Sequence, residues 1–141
     1  MSYRICIIGL GLMGASLAGA LRGFRGSYIV GADVLADVRG RAVASGVVGE
    51  AYENAGDAIA GSDLIIFCVY ARHIPRLIEE NSSAFRPGAV VSDICGVKSG
   101  LYERIRGLLP GGADYVGIHP MAGRERDGFD NADPAIYKNS G

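Results

Sequence analysis

The 141-residue sequence predicts an α/β fold, a doubly wound and mainly parallel sheet with helices on both faces. Three observations carry that prediction. The chain opens with a strand, a glycine turn and a helix over residues 3–21. Short β-branched apolar runs then alternate with helical stretches about every 20–30 residues. No internal repeat or low-complexity tract interrupts the alternation, which is the pattern of a layered α/β domain.

Composition narrows the function classes. The length suits one domain with a real core, and 49% hydrophobic with 21% charged residues describes an ordinary globular chain. Fourteen basic against fifteen acidic residues leave a net charge of −1, so neither nucleic acid nor an anionic membrane is an expected partner. No glycine-free apolar run approaches the roughly 20 residues of a spanning helix. Cys6, Cys68 and Cys95 are odd in number and lack a C-x-x-C spacing. That argues against a disulfide scaffold or a metal site and suits a reducing, cytoplasmic setting.

The elements follow in order. The run Ile5-Cys6-Ile7-Ile8 is a buried strand, and Gly9-Leu10-Gly11-Leu12-Met13-Gly14 has the G-x-G-x-x-G spacing ahead of a helix. In a Rossmann-type unit Gly9 permits the tight turn, Gly11 lets backbone approach a pyrophosphate, and Gly14 lets helix and strand pack closely. The phosphates would meet the amides of residues 10–13 and the positive end of the helix. The stretch also resembles a secretory leader, but glycines at 9, 11, 14 and 19 break the run and Arg4 alone is a poor positive start.

A second strand, 27–32, ends at Asp33, which lies 19 residues beyond Gly14. A carboxylate there would accept from the adenosine ribose hydroxyls and repel a 2′-phosphate, favouring NAD over NADP. A loop or N-cap aspartate is the bland alternative. Residues 37–45 read as a helix closed by Gly46, 47–51 as a weak third strand, and 54–60 as a short helix or turn. Residues 64–69 form the strongest strand, placing Val69 and Tyr70 at its carboxyl end, where such sheets bind ligands. A helix over 73–81 follows with Pro75 in its first turn, and His73 reads as a surface or cap residue, with a catalytic role as the minority reading because it falls near the expected crevice.

A fifth strand, 89–92, ends at Asp93, and 99–109 is a helix with Leu101, Ile105 and Leu108 on one face. Lys98, a cation in the first turn of a helix, opposes the helix dipole; a carboxylate such as Asp93 or a ligand would account for it, and a solvated surface lysine is an equal alternative. A sixth strand, 114–118, delivers His119 to the same edge. An imidazole there can take the proton of a substrate hydroxyl near neutral pH while hydride leaves the same carbon for NAD. Residues 124–141 are polar, with turn signals and no further strand or helix pattern. Residues 119–141 are therefore expected to be a catalytic loop and the end of an incomplete chain.

GLGLMGASLAGAL at 9–21, Asp33, DICGVKSG at 93–100 and GIHPMAGRERDGF at 117–129 together resemble the prephenate dehydrogenase family across essentially the whole chain. The resemblance implies an NAD-binding Rossmann domain, residues 1–141, normally followed by a helical domain that is absent here. That domain would supply homodimer contacts and part of the site. The implied reaction is oxidative decarboxylation of prephenate to 4-hydroxyphenylpyruvate in tyrosine biosynthesis, or of arogenate to tyrosine. It also implies His119 as catalytic base, Lys98 as the lysine of an aspartate-x-x-serine-x-lysine loop, and Asp33 as the ribose ligand. Gly96 stands where many members carry that serine, so a water or Cys95 would have to orient the groups around His119. Arg124 replaces a smaller polar residue and, with Lys98, is a candidate for holding substrate carboxylates. Another hydroxy-acid dehydrogenase, or a non-catalytic NAD-sensing module, are the alternative readings.

Overall fold

The computed structural model describes residues 2–96, 100–119, 129 and 132–138. Lys98, Arg124 and the segment 120–123 lie outside the described residues.

Six strands form one parallel sheet: β1 Arg4–Ile8, β2 Tyr28–Ala32, β3 Glu50–Tyr52, β4 Leu64–Phe67, β5 Val90–Asp93 and β6 Asp114–Gly117. Their order is β3-β2-β1-β4-β5-β6, so the chain winds outward in both directions from β1, and β1 and β4 flank the switch point. The interleaved helices are α1 Leu12–Ala20, α2 Ala36–Ala44, α3 Ala55–Ile59, α4 Ile74–Glu80 and α5 Leu101–Leu108.

Alternation along the strands makes two cores. Ile5 and Ile7 of β1 pack with Leu17, Ala18 and Ala42 of α1 and α2. Cys6 and Ile8 face the opposite layer, with Ile59, Ile74, Ile78 and Ile105 of α3, α4 and α5. Period-2 side chains on a sheet covered on both faces produce the continuous apolar runs seen in the sequence. Ile5, Ile7, Ile65 and Phe67 are completely buried, and each stabilises the fold by roughly 1.5–3 kcal/mol relative to exposure.

Two expectations need correction. The third strand is Glu50–Tyr52 rather than 47–51. Val48 is buried and anchors the preceding loop, while Gly49 donates to the Ile29 carbonyl under the Tyr28 ring, so the ladder begins only beyond it. The tail is also not featureless, because Pro134–Tyr137 is a 3₁₀ turn. Asp133 accepts from the Ala135 N–H at 2.9 Å, and Pro134 occupies the first helical position. Asp-Pro, read as a turn signal, is here an N-cap followed by its preferred N1 residue.

Candidate functional site

The carboxyl ends of β1, β2, β4 and β5 surround a crevice of about 710 Å³, within the range of small-molecule sites. Its lining includes Gly9, Gly11, Leu12, Met13, Asp33, Val69 and Tyr70 from the expected set. Leu10 and Gly14 are not on that surface. Leu10 is fully buried, its side chain over Gly31, and only its N–H serves the loop.

The glycines are explained by what a β-carbon would meet. Gly9 has φ +95°, and a β-carbon there would stand 2.6 Å from the Cys68 carbonyl oxygen. At Gly14 it would fall 1.8 Å from the Gly9 carbonyl oxygen, so α1 can cross the turn only with hydrogen at this position. Gly11 differs: nothing lies within 4 Å of its β-position, and the residue borders the crevice. No side chain caps the start of α1 and its first turn holds no acidic residue. The helix therefore offers amides and a positive dipole end to an anion in the crevice, as a pyrophosphate requires.

Asp33 sits just beyond β2 and is partly buried. Its Oδ2 accepts from the Leu10 N–H and its Oδ1 from the Leu35 N–H, both at 3.0 Å. The aspartate is thus a loop organiser, and each carboxylate oxygen keeps a second lone pair for a ribose hydroxyl. Arg39 Nη1 donates to the carbonyls of Asp33 at 2.9 Å and Val34 at 3.1 Å, which puts a guanidinium at the same rim.

The β4 and β5 ends supply further lining residues. Cys68, Ala71, Ile94 and Cys95 line it, as does His73, the first residue ahead of α4. Burial, and then the neighbouring Cys95, push the Cys68 thiol far above its ordinary pKa, so it is an apolar wall and no nucleophile. Tyr70 is 68% exposed at the mouth, with the Arg72 guanidinium 5.0 Å from its ring centroid.

At the end of β5 the fully buried Asp93 turns inward. Tyr115 Oη donates to its Oδ2, and the Cys95 N–H donates to Oδ1 at 2.9 Å. Burial and then this bond raise the Tyr115 pKa, keeping the phenol a donor. The pair fixes the loop carrying Cys95 and Gly96. His119 follows β6 and reaches back over that loop: a β-carbon on Gly96 would lie 3.1 Å from His119 Nε2. Among the described residues no cluster of His, Cys, Asp or Glu could hold a metal ion, and no helix is long and apolar enough to cross a membrane.

Fold and crevice together define a nucleotide-binding α/β domain of the dehydrogenase type. The comparisons are more specific. The family model described as prephenate dehydrogenase, nucleotide-binding domain, matches residues 17–141, and the chain belongs to that family. It is 31% identical over 128 residues to a cyclohexadienyl dehydrogenase of Zymomonas mobilis, covering 90% of this chain and 43% of the relative. It is 25% identical to the prephenate dehydrogenase of Bacillus subtilis, covering 99% of this chain and 38% of that protein. Among solved structures it resembles Synechocystis arogenate dehydrogenase, with TM-score 0.88, 32% identity and coverage of 97% and 48%. It also resembles A. aeolicus prephenate dehydrogenase in complex with hydroxyphenyl propionate and NAD+, with TM-score 0.86, 27% identity and coverage of 99% and 49%. The chain therefore spans less than half the length of these relatives.

Proposed function

We propose that this chain is the NAD-binding part of an enzyme that oxidatively decarboxylates prephenate to 4-hydroxyphenylpyruvate, with arogenate as the competing substrate. The observation that carries the reading is the position of the His119 imidazole over Gly96, beside the crevice that the glycine loop lines. The relatives support both substrates, since one similar structure is an arogenate and another a prephenate dehydrogenase.

The residues present fit NAD. Gly11 leaves open space in front of the α1 amides, and Asp33 retains lone pairs for a ribose. When bound, NAD supplies the hydride acceptor. The chain's own work is to hold the pyrophosphate on the α1 amides, to keep ribose hydroxyls on Asp33, and to take a proton at His119. In the proposed reaction the substrate hydroxyl loses its proton to the imidazole as its carbon loses hydride, the carboxylate on the ring carbon opposite leaves as carbon dioxide, and the ring oxygen takes a proton back. The electron pair of the broken bond completes an aromatic ring. Alignment and one base suffice for such a step. Lys98 and Arg124 are proposed cations for the substrate carboxylates. Further contacts are proposed to come from a helical domain like the rest of the relatives' length, which would also carry a homodimer contact, in a cytoplasmic enzyme of tyrosine biosynthesis.

The test is NADH formation with prephenate and with arogenate, by the natural protein carrying this chain and by its His119→Asn variant. The variant is expected to lose about 10²–10⁴-fold in kcat, the usual worth of a general base, with NAD affinity nearly unchanged. Near-normal kcat would remove His119 from the mechanism. The 141-residue chain alone is expected to bind NAD and turn over either substrate only slowly.

A further inference from the structure

Residues 132–138 return to the nucleotide loop from the far end of the sequence. The turn Pro134–Tyr137 meets α1 at three positions spaced by three residues, hence on one helix face. Tyr137 Oη donates to the Met13 carbonyl at 3.0 Å. The Asp133 N–H donates to Ser16 Oγ at 2.8 Å, and Ser16 is completely buried. The Pro134 ring rests on Gly19, where a β-carbon would come within 2.5 Å of Pro134 Cγ. The Tyr137 ring packs into the same layer as Leu17 and Cys68, and Cys68 and Met13 both line the crevice.

We propose that Tyr137 is a positioning residue for the bound nucleotide: by pinning the first turn of α1 it sets the amides that face the pyrophosphate. The proposal rests on the reading of the crevice as an NAD site. The turn that presents the tyrosine is itself braced, by the Asp133 cap and by the fixed φ of Pro134, so the hydroxyl arrives with little freedom left. Helix α1 has no side-chain cap of its own, and Gly11 and Gly14 make its entry pliable. A brace from outside the loop is what such an entry lacks. Partial burial holds the proton of this phenol well above its ordinary range, so the bond to Met13 persists at any working pH.

The experiment titrates NAD and, separately, adenosine into the chain and into Tyr137→Phe, which keeps the ring and removes the bond to Met13. The NAD dissociation constant is expected to rise about three- to tenfold, the worth of one hydrogen bond, while adenosine, lacking phosphate, binds as before. Gly19→Ala attacks the contact from the other side. It pushes Pro134 off α1 although alanine by itself favours the helix, and it is expected to weaken NAD binding by a similar factor. Because both changes break one clasp, the double variant should be no worse than either single one. NAD affinity equal to that of the unaltered chain in both variants, with only the thermal midpoint lowered, overturns the positioning role and leaves a merely structural one. If the unaltered chain binds no NAD, the reading of the crevice fails and the proposal with it.

Discussion

The imidazole of His119 occupies the space that a side chain on Gly96 would need, with Nε2 3.1 Å and Cε1 3.3 Å from the position of a β-carbon there. The resemblance to the family places a serine at this position in many members, and a water or Cys95 seemed necessary to replace it. The ring lies against this position, where a β-carbon would have to push it aside. Cys95 meanwhile has its Sγ 3.8 Å from the Val69 carbonyl and its N–H on Asp93.

Gly96→Ala is therefore expected to displace the ring by a few tenths of an ångström. A 1 Å misplacement costs about 10²-fold in rate, so a loss of roughly three- to tenfold in kcat is expected. NAD affinity should change less than kcat, because Gly96 lines the crevice but lies off the glycine loop that would hold the pyrophosphate. Steady-state kinetics beside an NAD titration separates the two. An unchanged kcat would mean that the ring has room to spare and that Gly96 does not set its position.

A pH prediction follows from Asp63, at the opposite end of the sheet from the crevice. Its Oδ2 accepts from the Arg4 N–H at 2.8 Å and its Oδ1 pairs with the Arg86 guanidinium. The Arg4 bond first, and Arg86 after it, hold the carboxyl below its ordinary range in spite of partial burial. A depressed folded-state pKa means that stability from this group is fully present above the unfolded-state value of about 3.9. It is lost as pH falls through the lower folded-state value. Asp63→Asn should cost on the order of 1 kcal/mol at neutral pH. The gap in midpoint between the two proteins should close as pH falls below 4 or so. Urea denaturation across that range is the measurement, and a gap independent of pH would detach the effect from ionisation.

The legible parts of this molecule are those whose physics is local. The places of Gly9, Gly11 and Gly14 in the turn are legible from six residues because turn and crossing are contiguous in the chain, and the place of Asp33 at the crevice because one crossover has a nearly fixed length. The core layers were legible through the period of two on a sheet covered on both faces. What escaped depends on which strand ends become neighbours. Cys68 and Ile94 reach the crevice only because β4 pairs with β1 and β5. The clasp of Tyr137 on Met13 joins positions 124 residues apart, and nothing in either stretch announces the other. Val47 and Val48 misled for the opposite reason, since β-branched residues satisfied a local strand pattern while burial of Val48 in a loop satisfied the fold.

Asp33 decides the last prediction, because it does two things with one carboxylate. Its oxygens hold the Leu10 and Leu35 amides, and in the proposed site the same oxygens receive the ribose hydroxyls. An asparagine keeps one acceptor and turns its NH₂ toward the other amide donor, so Asp33→Asn should weaken NAD binding about tenfold through one lost and one mismatched hydrogen bond. The loss of charge acts differently on NADP. Two unit charges about 4 Å apart at an effective dielectric near 20 repel by about 4 kcal/mol, and half of that is roughly a thirtyfold penalty on a 2′-phosphate. The variant removes this penalty while Arg39, held at the Asp33 and Val34 carbonyls, stays beside the vacated charge. The NADP-to-NAD ratio of dissociation constants should accordingly fall by one to two orders of magnitude in Asp33→Asn, and Arg39→Ala on that background should restore part of it. Calorimetric titration of both nucleotides into the three proteins measures these ratios. A ratio that does not move in Asp33→Asn would assign Asp33 to the loop alone, and the discrimination between the two nucleotides to some other group.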